Sequence, residues 1–215
     1  LAERAMRGNI GLTLDAEEAD RLDLSLDLLE RVFRSDALAG WEGFGLAVQA
    51  YLKRALPVID WLAAQAAMSG RRWCVRLVKG AYWASEVQRA QVAGLVDYPV
   101  FTRKSHTDIA YLACARKLLA EPRLVFPQFA THNAATLCEV IELAGDNRDF
   151  EFQCLHGMGE TLYDQVVSAR DIDLPCRIYA PVGTHETLLA SLVRRLLENG
   201  ANSSFLNQIV DPDVP

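Results

Sequence analysis

No run in this sequence is apolar over the ~18 residues that a membrane-spanning helix requires. The first residues, LAERAMRGN, lack the apolar stretch of a secretory leader. Leu1 is not an initiator methionine, so the expectation is a chain that begins inside something larger or was cut. Histidine is scarce, with four residues (His106, His132, His156 and His185). They show no H-x-x-x-H spacing and no thiolate pair accompanies them, which argues against a bound metal. The five cysteines contain no C-x-x-C pair, and their scatter among apolar neighbours predicts reduced core thiols in a cytosolic protein. Basic residues are in deficit, 22 against 28 acidic, for a net charge of -6. That balance argues against a surface built to hold nucleic acid or an anionic membrane. Linkers, repeats and low-complexity tracts are also missing, so residues 1–215 are expected to form one domain.

What is present is an ordinary globular composition, 51% hydrophobic and 23% charged over 215 residues, enough for one sizeable core. Short strand-like runs alternate with longer helical ones. Strands are predicted at Ile10–Asp15, Gly45–Ala50, Trp73–Lys79, Leu124–Thr131, Phe150–Leu155 and Arg177–Val182. Helices are predicted at Ala16–Phe33, Lys53–Met68, Ser85–Val92, Thr107–Leu119, Ala134–Leu143, Thr161–Val167 and Thr184–Asn199. Strict alternation implies parallel strands, in a doubly wound sheet or a (βα)8 barrel. A doubly wound sheet would want a glycine-rich turn after its first strand, and Leu12–Glu18 has none. The strand ends instead carry Asp15, Gln49, Lys79, Thr131-His132 and His156, one polar position per strand, as at a barrel mouth. Six strands in 215 residues fall short of the eight strands and ~250 residues of a full barrel. The expectation is a distorted, TIM-like (βα)8 barrel that lacks its first strand or strands in this chain.

Three constellations could carry chemistry. In Arg76-Leu77-Val78-Lys79-Gly80-Ala81, Arg76 shares a strand face with Val78, and a buried guanidinium is costly without an anion or an electron-rich ring. Lys79 followed by Gly80 and Ala81 sets a cation beside unobstructed backbone, which suits a diphosphate or an electron-rich heterocycle; ordinary ion pairs would explain the same residues. Thr131-His132-Asn133 suits a cofactor tail or a polar substrate, or a purely structural turn. On the last helix Ser191, Arg194, Arg195 and Glu198 form one polar stripe opposite Leu188, Leu192 and Leu196. The stripe is either a solvated face with a surface salt bridge or a bidentate grip for a carboxylate at the mouth. Asp15 reads best as the N-cap of the helix that follows it. Gln49 breaks an apolar strand and needs a partner, either a cofactor or backbone.

Taken together, GLTLDAEEADRLDLSLDL, RLVKGAYW, YPVFTRK, PQFATHNA, EFQCLHGMGE, RIYAPVG and LVRRLLENGANSSF resemble the proline dehydrogenase family, in order from Gly11 to Phe205. The likeness is to its bacterial form, which is fused to an aldehyde dehydrogenase. The resemblance implies a distorted barrel that binds FAD without a Rossmann motif and oxidises L-proline to Δ1-pyrroline-5-carboxylate. It implies catalytic roles for Arg76, Asp15 and Tyr179, with Arg76 beside flavin N5. It assigns substrate contacts to Arg194, Arg195, Leu155, Tyr179, Asp15 and Ser191. Cofactor contacts fall to Gln49, Arg76, Lys79, Gly80, Ala81, Trp83, Thr102, Lys104, Thr131, His132, Asn133, Gln153, Glu198 and Phe205. It further implies a quinone electron acceptor, a fused or associated pyrroline-5-carboxylate dehydrogenase and a cytoplasmic protein with peripheral contact to the inner membrane. Ser191 stands where the family usually has Tyr, and Ala84 where it has Asp; a family strand resembling ISIKLSAL is expected upstream of Leu1. A flavin-binding fragment without turnover is the competing expectation, and a phosphate-handling barrel enzyme the third.

Overall fold

The computed structural model describes residues 1–167, 172–184, 186, 188, 189 and 193. A short helix α1 (Ala2–Arg7) leads into β1 (Leu12–Leu14), and α2 (Leu22–Phe33) follows. Then come β2 (Phe44–Gln49), α3 (Ala55–Ser69), β3 (Trp73–Val78), α4 (Trp83–Val92) and α5 (Lys104–Leu119). The series closes with β4 (Val125–Ala130), α6 (Ala134–Ala144), β5 (Glu151–Leu155), α7 (Glu160–Val167) and β6 (Cys176–Tyr179). All five strand pairings are parallel, and the strands lie side by side in chain order, β1 to β6. A doubly wound sheet would reverse its order at a switch point. Sequential order is that of a barrel, and here the sheet curls into a half-barrel with β1 and β6 as its edges among the described residues.

The period-2 alternation of a strand decides which side chains face the helices. In β3, Trp73, Val75 and Leu77 are fully buried, while Cys74, Arg76 and Val78 point to the other, partly open face. Register carries this across the sheet. Arg76 lies between Ala47 of β2 and Gln128 of β4, Gln128 lies opposite Glu151 of β5, and Gln153 lies opposite Arg177 of β6. The helix-facing side holds the main core. Phe33 of α2 stacks on Trp73 with ring centroids 3.6 Å apart, and Phe129, Phe150, Phe152 and Tyr163 form a second aromatic group. Each such ring removes ~150–250 Å² from water, so this side dominates stability. The opposite, concave face is the polar one.

Two expectations change here. The helix predicted from Ala16 begins as α2 at Leu22, after a 3-10 turn at Ala19–Arg21, so Asp15 is not its N-cap. The segment between is held extended by other partners: Gln49 Nε2 donates to the Glu17 carbonyl at 2.8 Å, and Ala19 N–H donates to the Glu86 carboxylate at 2.6 Å. The six-residue α1 was not foreseen, because one and a half turns give periodicity nothing to register. Most of the predicted helix Thr184–Asn199 lies outside the described residues.

Candidate active site

Because every strand is parallel, every strand end opens at one mouth. Asp15 follows β1, Gln49 ends β2, Lys79 follows β3, Thr131 to Asn133 follow β4, Leu155 ends β5 and Tyr179 ends β6.

Arg76 is the hub. Its Nη1 donates to Asp15 Oδ1 at 2.7 Å, and its Nε donates to Gln153 Oε1, also at 2.7 Å. The guanidinium carbon lies 5.3 Å from the centroid of the Tyr179 ring, close enough for a cation–π contact. Neither hydrogen bond uses Nη2. The Asp15 side chain is 67% exposed while that of Arg76 is only 16% exposed, so the cation is sheltered and its counter-ion is wet. Leu155 stands opposite Tyr179 in the β5–β6 register. Residues distant in sequence, Asp15, Arg76, Gln153 and Tyr179, thus form one cluster.

Below it lies a second polar group that sequence reasoning missed. Glu151 is buried, and its carboxylate accepts from Gln128 Nε2 at 2.8 Å, Gln153 Nε2 at 2.7 Å and Arg177 Nε and Nη2 at 2.9 Å each. Burial alone would raise this carboxyl, but the bonds from Arg177, Gln153 and Gln128 outweigh it and hold it below the usual carboxylate range. The same pair raises Arg177. The signal was available: Glu151-x-Gln153 and Arg177-x-Tyr179 each place polar side chains at period two.

The cations at the strand end differ. Lys79 Nζ bonds Asp108 of α5 at 2.5 Å and is 6% exposed. Gly80 has φ +141°, and a Cβ there would lie 2.5 Å from the Tyr51 ring, so its lack of a side chain serves this packing directly. Gln49 is satisfied by backbone on both sides, with Oε1 accepting from Ala81 N–H at 3.2 Å as well as Nε2 on Glu17. Trp83 Nε1 donates to the Phe101 carbonyl at 2.8 Å. Thr131 Oγ1 accepts from Asn133 N–H at 3.2 Å, and Tyr163 bonds the Thr131 carbonyl at 2.7 Å. His132 Nε2 accepts from Leu155 N–H at 3.0 Å, which assigns its neutral form to the Nδ1–H tautomer. Asn133 is the N-cap of α6, with Oδ1 accepting from Thr136 N–H at 3.0 Å. Thr102 and Lys104 are exposed at the start of α5. Ser191, Arg194, Arg195, Glu198 and Phe205 lie outside the described residues. Among the described residues no group of three or more His, Cys, Asp or Glu is placed to hold a metal.

A half-barrel with a sheltered arginine, a tyrosine ring and carboxylates at its mouth can hold an anionic or electron-rich planar group. The donor set fits the flavin that the resemblance implies: among the described residues Arg76 keeps Nη2 out of both of its hydrogen bonds, and Tyr179 offers an aromatic wall.

A profile of the proline dehydrogenase family matches residues 1–208. The chain is 61% identical over 217 residues to the bifunctional protein PutA of Salmonella typhimurium, spanning 98% of this chain and 16% of that protein. It superposes on proline utilization A (PutA) of Bradyrhizobium japonicum with a TM-score of 0.91 at 58% identity, covering 100% of this chain and 22% of that one. The PutA of Bdellovibrio bacteriovorus inactivated by N-propargylglycine gives 0.88 at 34% identity, covering 96% of this chain and 22% of that one. The chain spans less than a quarter of each of these relatives. Matched over nearly all of its length, the chain belongs to the proline dehydrogenase family.

Proposed function

We propose that this chain is the proline-oxidising part of a bifunctional, flavin-dependent enzyme, converting L-proline to Δ1-pyrroline-5-carboxylate as the first step of proline catabolism. The observation that carries it is the Arg76 cluster: a sheltered guanidinium, oriented by Asp15 and Gln153 over Tyr179, at the mouth of a half-barrel of this family. When bound, FAD would supply the two-electron acceptor for the hydride leaving C5 of proline, which this reading sends to flavin N5. Arg76 would offset negative charge developing on the flavin while keeping its own charge partnered through Asp15. Tyr179 and Leu155 pack against the pyrrolidine ring and exclude water. The resemblance gives Arg194 and Arg195 the proline carboxylate, which a pair of guanidinium groups would grip and so orient C5, and gives Ser191 a substrate contact and Glu198 and Phe205 cofactor contacts. The strand-end turns at Gln49, Lys79–Ala81, Trp83 and Thr131–Asn133, with Thr102 and Lys104, follow the cofactor away from the reacting ring. Electrons pass on to quinone, and the product goes to a fused pyrroline-5-carboxylate dehydrogenase.

The test uses the full-length protein under anaerobic conditions. L-Proline should bleach the flavin band near ~450 nm, L-tetrahydro-2-furoic acid should compete, and pyrrolidine, lacking the carboxylate, should not. N-Propargylglycine, which inactivated the Bdellovibrio protein, should inactivate this one as well. A flavin band that proline leaves intact would overturn the reading.

A further inference from the structure

A hydrogen-bond chain descends the concave face from Arg76 to a carboxylate that the roles above do not use. Arg76 Nε donates to Gln153 Oε1 at 2.7 Å, and Gln153 Nε2 donates to Glu151 Oε1 at 2.7 Å. Glu151 is 4% exposed and is braced from its other sides by Gln128 and Arg177. The chain has a direction. A guanidinium only donates, an ionised carboxylate only accepts, and a glutamine amide does one at each end in either of two orientations. With a donor above and an acceptor below, a single orientation of Gln153 makes both bonds. Gln153 uses one hydrogen bond at each end of its amide in this chain, so it connects Arg76 to Glu151.

We propose that Glu151 is a positioning residue for Arg76: by holding the amide nitrogen of Gln153, it turns the amide oxygen to Arg76 Nε and fixes the guanidinium plane between Asp15 and Tyr179. The proposal rests on the reading that Arg76 serves the flavin. Without Glu151, the Gln153 amide loses its anchor and Arg76 gains a second arrangement, bound to Asp15 alone. The cation would remain, but its placement would not. Asp15, being mostly exposed, is too weak a hold by itself to restore it.

The experiment uses the FAD-containing full-length protein. Glu151→Gln and Gln153→Met are each made in the parent and in an Arg76→Lys background, which keeps the charge and removes the Nε–H. FAD occupancy, the flavin midpoint potential, and kcat and KM for proline are read separately. In the parent, each variant should lower kcat on the order of tenfold with KM nearly unchanged, and should shift the potential in the direction that Arg76→Lys shifts it. In the Arg76→Lys background neither should move the potential further, because residues acting through one chain are non-additive. Gln153→Met leaves the Glu151–Arg177 pair in place and reads the chain even where Glu151→Gln does not fold. Equal shifts with and without Arg76, or a silent Gln153→Met beside a defective Arg76→Lys, would overturn the relay and leave the flavin reading standing. An Arg76→Lys protein with unaltered potential and turnover would bring down both.

Discussion

Arg76 and Lys79 are cations three residues apart on one strand end, and the fold treats them in opposite ways. Lys79 is closed in, 6% exposed and locked to Asp108 of α5. Arg76 is sheltered too, yet its charge partner Asp15 stands in water and one of its nitrogens stays free of both bonds. A buried pair in low dielectric holds its geometry and resists exchange. A half-wet pair gives up little when another anion or an electron-rich ring approaches. The difference separates a cation that supports the turn from one that can act, although both read alike in Arg-Leu-Val-Lys.

The largest expected effect breaks the comparison at its functional end. Arg76→Met should lower proline-dependent flavin reduction about a hundredfold or more, or empty the protein of FAD. Absorbance of the purified protein and stopped-flow bleaching would show which; parent-like flavin content and turnover would end the case for Arg76. At the supporting end, Asp108→Asn leaves the Lys79 ammonium buried without its counter-charge. Since Asp108 is one-third exposed, the cost should be roughly 2–4 kcal/mol, discounted from a fully buried pair. Urea unfolding measures it, and a loss within error would mean that Lys79 has a second anchor.

Gly80→Ala probes the turn between them. An added Cβ meets the Tyr51 ring at 2.5 Å and φ +141° is foreign to L-residues, so about 1–3 kcal/mol should go, seen as a lower Tm. The smallest effect belongs to the cluster beneath Arg76. The native Glu151 value lies below that of the unfolded chain, because Arg177, Gln153 and Gln128 outweigh the opposing effect of burial. Its contribution to stability is therefore complete above the unfolded carboxylate range and lost as pH falls through the lowered native value. With Arg177 itself exposed, the total change should amount to about 1 kcal/mol. Unfolding free energies across acid pH should show it in the parent and not in Glu151→Gln.

Alternation of strand and helix and the polar residue at each strand end were legible from composition and periodicity, because period two and period 3.6 are written locally. So were Arg76 and Asp15 as candidates, whereas Tyr179 was named only through the resemblance, which also carried the roles of all three. Partners could not be read. Asp15 satisfies the local rule for an N-cap, and only the curl of the sheet brings Arg76, 61 residues away, within 2.7 Å of it. The same curl sets Asp108 on Lys79 and Tyr51 under Gly80. Glu151 shows the limit most clearly. Its sequence neighbours mark an ordinary strand start, and register across β4, β5 and β6 gathers the four bonds that keep it charged. Local pattern determined which residues face the concave side of the sheet. Long-range parallel pairing decided which of them meet, because hydrogen-bond register is a property of two strands and neither one encodes it alone.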